Sequence, residues 1–180
     1  MTSVPGPAPQ MTAEDVFGVL DLLDSGNVEV WIEGGWNVDA LLGEQTRTHK
    51  DLDMVVELSN VPGVLELLAG HGFENVHGAP PKNFVLEDHR RRRLDFHPVA
   101  WDVEGNGVYR MDNDEDWLFP AQGFSGRGVI DGRPVKCLSP EVLMLCRAGY
   151  DWADKDFADT AAIHARFRVP YPVGYGPKLA

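Results

Sequence analysis

E-G-G-W-N-V-D-A-L-L-G-E-Q-T-R-T-H-K-D-L-D-M-V-V-E, residues Glu33 to Glu57, is the stretch whose reading decides the fold. Before it, Val28-Glu29-Val30-Trp31-Ile32 is mostly β-branched or aromatic and predicts a strand. Gly34-Gly35 lets the backbone turn with no Cβ in the way, and Trp36 to Leu42 predicts a short helix. After a polar loop around Arg47 to Lys50, Asp51-Leu52-Asp53-Met54-Val55-Val56 predicts a second strand. Strand side chains alternate between faces, so Asp51 and Asp53 share one face, with Cα atoms about 6.6 Å apart. Two such carboxylates repel each other unless a cation lies between them. Mg2+ is a hard ion that takes carboxylate and phosphate oxygens, and a Gly-Gly turn opening a helix offers backbone N–H groups to a phosphate. Asp51 and Asp53 are therefore candidate metal ligands, and Gly34 and Gly35 candidate phosphate contacts, in a metal–nucleoside triphosphate site.

Nine positions within 20 residues, Gly34, Gly35, Trp36, Asp39, Gly43, Arg47, His49, Asp51 and Asp53, form a spaced signature. It resembles that of the small nucleotidyltransferases of the aminoglycoside and lincosamide type, within the polymerase-β-like superfamily. The resemblance spans roughly residues 12–168, although only this early signature is specific. It implies a nucleotidyltransferase fold and the transfer of a nucleoside monophosphate from an NTP, ATP first among them, to a hydroxyl of a small acceptor. It also implies Asp95 as a third acid of the Mg2+ site, serving as, or sitting beside, the base for the attacking hydroxyl. Trp36 stands where the wider superfamily has a phosphate-binding Ser or Thr, which narrows the match to the antibiotic-modifying branch.

Composition bounds the alternatives. The chain has 180 residues, 43% of them hydrophobic, enough for one ordinary domain with a sizeable core. The expectation is an α+β domain over residues 12–168, a mixed sheet with helices packed on it and a C-terminal helical segment, flanked by tails at 1–11 and 169–180. No apolar run approaches the roughly 20 residues that span a membrane, and the N-terminus lacks the basic-then-apolar pattern of a signal peptide, so a cytoplasmic location is expected. Cys137 and Cys146 have no metal-ligand spacing and are expected to be reduced and at least partly buried. A net charge of −12 disfavours a nucleic-acid backbone and suits a cationic acceptor.

Taken in order, Thr12 is an N-cap followed by acids, and Val16, Val19, Leu20 and Leu23 recur at helical spacing. A helix after Asn60, strands over 83–87 and 94–100, a hairpin at Asp131-Gly132, a helix opened by Ser139-Pro140 and a final helix over 152–167 complete the expectation. Arg90 to Arg93 reads as a solvated hairpin end, because 16 basic residues stand against 28 acidic ones. The segment 102–116 reads as a solvated acidic loop, or as a lip that draws in an amine-bearing acceptor.

Several roles stay open from the residues alone. Arg47 fits a phosphate clamp through its planar fork, or a partner of Glu44 or Asp51. His49 lies near the phosphates or Asp51, or only shapes the loop, and Asp39 is expected to stabilise a helix start. His97 is an alternative base or a partly exposed structural histidine. Asp151, Asp154, Asp156 and Asp159 face acceptor or solvent. Trp31 and Trp36 are expected as core or wall. Competing readings are another acceptor on the same site (a sugar, a natural-product intermediate, a protein or a tRNA end), a non-catalytic nucleotide-binding module, and a fold reused without nucleotide.

Overall fold

The first helix, α1 (Ala13–Ser25), begins where its capping chemistry dictates: the Asp15 amide donates to the Thr12 hydroxyl at 3.2 Å, and the Thr12 amide donates to the Asp15 carboxylate at 3.1 Å. The computed structural model describes residues 10–176. Next come β1 (Val30–Ile32), α2 (Gly34–Leu42), β2 (Leu52–Glu57), α3 (Val61–Ala69), β3 (Phe73–Gly78), β4 (Phe84–Asp88) and β5 (Arg93–Trp101). They are followed by β6 (Gly107–Arg110), β7 (Asp116–Phe119), β8 (Arg127–Ile130), β9 (Arg133–Lys136), α4 (Pro140–Cys146) and α5 (Asp154–Phe167).

Seven strands form one mixed sheet in the order β1-β2-β5-β4-β3, with β6 and β7 added beyond the second half of β5. The β2–β5 pair is parallel and the others are antiparallel. The alternation of strand side chains then sorts the chemistry. Leu52, Met54 and Val56 of β2, with Leu94 and Phe96 of β5, enter the large core beneath α1 and α3. Val55 and Val99 point the other way, into a second core with Trp31, Phe119, Leu138 and Val142. Asp53, Asp95 and His97 occupy this second face by register, beyond the cover of the apolar cluster. A third cluster, Val38, Leu143, Met144, Ile163 and Val169, packs α2, α4 and α5 together at that side of the sheet.

Four features differ from the sequence expectation. Met11, placed in the tail, is 1% exposed and pairs through its backbone with His49, so packing begins before Thr12. At the other end Val169 is buried, Tyr171 stacks on His164 and Tyr175 on Trp152, so the fold continues past residue 168; residues 1–9 and 177–180 of the expected tails lie outside the described part. Strand β3 has a polar, mostly exposed sequence whose only buried side chain is Phe73, which left no apolar pattern to read. The 102–116 segment is no plain loop, because it carries β6 and the start of β7, paired as a hairpin.

The arginine run is indeed a hairpin end, held by acids. Arg92 donates to Asp88 at 2.8 Å and lies over the Phe73 ring, Arg90 reaches Asp15 at 3.1 Å, and Arg91 pairs with Glu87 at 3.0 Å. Cys137 is buried and Cys146 half-buried, both as free thiols. Among the described residues, no helix is long and apolar enough to cross a membrane.

Candidate active site

The parallel pairing of β2 with β5 puts Asp53 directly opposite Asp95. Asp51 lies just before β2 and shares the Asp53 face by strand alternation. Burial pushes the Asp53 carboxyl up to about 7, and the neighbouring charge of Asp51 adds to it, with smaller contributions from Glu33 and Asp95. Asp95 is raised as well, first by burial and then by Asp51 and Glu33, although His97 and an Asn83 amide at 3.3 Å oppose the rise. Four acids therefore converge from β2, β5 and the entry to α2.

Helix α2 begins on this cluster. Gly34 has φ +64 and lies so close to Asp53 that a Cβ there would collide with its carboxylate, which is the physical reason for glycine. At Gly35 a Cβ would come within 2.5 Å of both Arg47 Nη2 and His49 Nδ1. Glu33 occupies the N-cap position, yet its side chain makes no capping bond. It turns instead toward His97, with Oε2 3.1 Å from Nδ1, close enough for charge attraction but outside hydrogen-bond geometry. Burial alone would lower His97, but Glu33, then Asp95 and Asp53, outweigh it and bring it to about 9. Burial, the largest single influence, would raise Glu33, but His97 together with Arg147 and Cys146 outweighs it and holds the carboxyl below its usual range. Glu33 escaped the sequence reading because an acid before Gly-Gly looks like an ordinary helix cap. His97, read there chiefly as structural, instead belongs to the acidic cluster.

Arg47 and His49 sit behind the Gly-Gly turn. His49 is 3% exposed; it accepts from Arg47 Nη1 at 3.1 Å through Nδ1, so Nε2 carries the proton that Asp39 receives at 2.5 Å. Asp39 also accepts from the Thr46 amide and hydroxyl at 3.0 and 2.6 Å, so it anchors the loop and not the start of α2 as expected. The Arg47 fork reaches neither Glu44 nor Asp51, and grips Asp159 at 3.2 and 2.9 Å. Asp159 also meets Arg147 at 3.5 Å, and Arg147 donates to Asp156 at 2.8 Å. Asp156 and Asp159 are thus buried anchors of α5, whereas Asp151 and Asp154 are exposed.

Two cavities meet at Glu33 and His97. One, of about 400 Å3, runs from Gly34, Asp53 and Glu33 to Arg147 and Lys155 on the α4–α5 side. The other, of about 440 Å3, is walled by Tyr109, Met111, Trp117, Phe119 and Glu115. Glu33, His97, Cys146 and Tyr150 line both.

Donor chemistry fits a hard divalent cation: Asp51, Asp53 and Asp95 are all carboxylates, and Asp53 is raised by burial and by its acidic neighbours. No set of three His, Cys, Asp or Glu donors is closed around one point among the described residues, so the carboxylates are gathered rather than preassembled.

A mixed sheet with apposed acids under a Gly-Gly helix start defines the class, a nucleotidyltransferase. A family model described as aminoglycoside-2''-adenylyltransferase matches residues 15–163, and the chain belongs to that family. A lincosamide resistance protein of Staphylococcus haemolyticus is 30% identical over 150 residues, covering 83% of this chain and 92% of its own. A 2''-aminoglycoside nucleotidyltransferase of Escherichia coli is 30% identical over 132 residues, covering 72% and 68%. Among solved structures, a lincosamide antibiotic adenylyltransferase with lincomycin bound superposes with a TM-score of 0.77 at 26% identity, covering 87% of this chain and 98% of that one. A 2''-aminoglycoside enzyme in complex with adenylyl-2''-tobramycin gives 0.63 at 25% identity, covering 83% and 86%.

Proposed function

We propose that the chain moves a nucleoside monophosphate from a Mg2+-bound NTP, with ATP the first donor to test, to a hydroxyl of a lincosamide antibiotic. The observation that carries this reading is the apposition of Asp53 and Asp95 in register on β2 and β5, directly against Gly34. Asp51, Asp53 and Asp95 are the proposed metal-holding groups. Mg2+, when bound, supplies neutralisation of the triphosphate oxygens and of the departing pyrophosphate. The amides of Gly34 and Gly35 point a helix start at the phosphates. Arg47 and His49 lie directly behind Gly35, and in the resting chain the Arg47 guanidinium is paired with Asp159. Transfer then depends on alignment of the acceptor with the α-phosphorus, which these rigid elements provide.

The acceptor proposal rests on the second cavity. Aromatic and thioether walls suit a carbon skeleton, and Glu115 at the rim suits a single amine. A polycationic aminoglycoside is the second reading, favoured by the −12 net charge. Nucleic acid is disfavoured because three of the four clustered arginines are bound to acids. Supply of ATP makes the cytoplasm the proposed location.

The test is mass spectrometry of the purified protein with Mg2+, four NTPs and a panel of lincosamides and aminoglycosides. A product heavier by one nucleoside monophosphate identifies donor and acceptor together. Absence of binding to every Mg2+–NTP in calorimetry overturns the proposal.

A further inference from the structure

Glu33 commits its backbone to the fold and leaves its carboxylate paired by charge with His97 but with no hydrogen bond at Oε2. Its amide donates to the Asp53 carbonyl at 2.9 Å and its carbonyl accepts from Asn37 at 3.3 Å, which locks it between β2 and α2. An acid at an N-cap ordinarily satisfies the helix amides, and this one does not. Its side chain is 15% exposed, stands at the neck shared by the two cavities, and keeps Oε2 without a hydrogen bond. Of the other groups at that neck, Tyr150 is occupied by Arg147 at 2.9 Å and Asp156 at 3.2 Å. Cys146 is a thiol, a weak donor and weak acceptor that itself lies against Glu33. His97 holds Glu33 from one side at 3.1 Å and offers no anionic acceptor.

We propose that Glu33 receives the hydrogen bond of the acceptor's attacking hydroxyl and aims it at the α-phosphorus, with His97 fixing the carboxylate's orientation. This rests on the transferase reading given above and adds a residue to it. The two cavities place donor phosphates on one side of Glu33 and the acceptor skeleton on the other, so the hydroxyl must pass the carboxylate to reach its target. In the resting chain His97 balances the carboxylate's charge but leaves Oε2 without a hydrogen bond, and the arriving hydroxyl supplies one. The role is orientation, and misplacement by about 1 Å costs on the order of 10²-fold in rate.

The experiment compares Glu33→Ala, Glu33→Gln and Glu33→Asp with wild type in two assays. Calorimetry with Mg2+ and α,β-methylene ATP reads donor binding, and steady-state kinetics with the acceptor found above reads transfer. The expected result is a loss of about 10²-fold in kcat/KM for the acceptor in Glu33→Ala. Glu33→Asp should recover much of that loss and Glu33→Gln should fall between, while nucleotide Kd stays within threefold of wild type throughout. Thermal melts separate an unfolded variant from an inactive one, and Glu33→Gln, equal in size, carries the test if Glu33→Ala melts early. Acceptor kinetics within threefold of wild type in Glu33→Ala overturns the proposal. A parallel loss of nucleotide binding also overturns it, by moving Glu33 to the donor side. A wild-type protein that binds no Mg2+–NTP defeats the transferase reading itself, which is a separate failure.

Discussion

Asp53 carries the electrostatic tension of the site. With its carboxyl raised from 3.8 to about 7, the folded chain holds a proton that the unfolded chain has released between those values. Stability of the metal-free protein therefore falls as pH rises across that window, the opposite of a carboxylate stabilised by a cation. Melting temperature should decline from pH 5 to pH 7.5 in wild type and run flatter in Asp53→Asn, as differential scanning fluorimetry at several pH values would show. The same variant is expected to lose nucleotidyl transfer while keeping its circular dichroism spectrum; retained turnover would remove Asp53 from the metal site. Gly34→Ala puts a methyl group against the Asp53 carboxylate at a backbone angle of φ +64 that favours glycine. A loss of at least about 10²-fold in kcat/KM is expected from the displaced carboxylate, read with the same mass-spectrometric product.

Strand β5 has two jobs, and the turn that feeds it is built for them. Its first half delivers Asp95 and His97 beside β2, and its second half carries the β6–β7 hairpin that walls the second cavity. The β4–β5 turn fixes where it starts. Asp88 accepts from the amides of Arg90 and Arg92 at 3.0 and 2.9 Å and from Arg92 Nε at 2.8 Å. Burial alone would raise its carboxyl, but the Arg92 and Arg90 bonds outweigh that and lower it below 3.8. The stability it supplies is present above that value and is lost as pH falls through the lowered one. Asp88→Asn should cost about 1–3 kcal/mol at neutral pH. Urea titration should also show the difference from wild type shrinking in strong acid; an unchanged midpoint would mean that the turn is held by β pairing alone.

Across the whole molecule, one buried charge network joins the loop between α2 and β2 to the last helix. Arg47 and Asp159 are 112 residues apart in sequence and bonded at two atoms, and Asp159 is only 3% exposed. Removing one partner leaves a buried charge short of its counterion. Arg47→Ala and Asp159→Ala should each destabilise the chain, and the double variant should cost less than their sum, with a coupling of about 0.5–3 kcal/mol in urea unfolding. Simple additivity would mean that α5 is held by its apolar face alone. Arg147, with Asp156 and Tyr150, extends the same network to the wall of the cavity that holds Asp53, so α5 is tied to both sides of the site.

The residue string by itself determined the local pieces whose physics is local. Thr12 and Ser139 cap helices through bonds within three residues, Asp131-Gly132 turns a hairpin, and the alternation in Asp51-Leu52-Asp53 puts two acids on one face. The signature from Gly34 to Asp53 was legible for the same reason, since its parts lie within one strand–turn–helix–strand unit. Tertiary structure alone decided which distant groups meet. Parallel pairing of β2 with β5 set Asp95, which the family resemblance had implied, opposite Asp53, and turned Glu33 and His97 into a pair 64 residues apart that no motif had marked. It also gave Arg47 to Asp159 in place of the nearer Glu44 or Asp51. A long-range ion pair leaves no periodic trace in sequence, because either partner alone looks like surface charge. Strands β3, β6 and β7 stayed hidden for a related reason: β3 is polar and mostly exposed, β6 and β7 have only four residues each, and neighbouring strands supply the pairing that holds them.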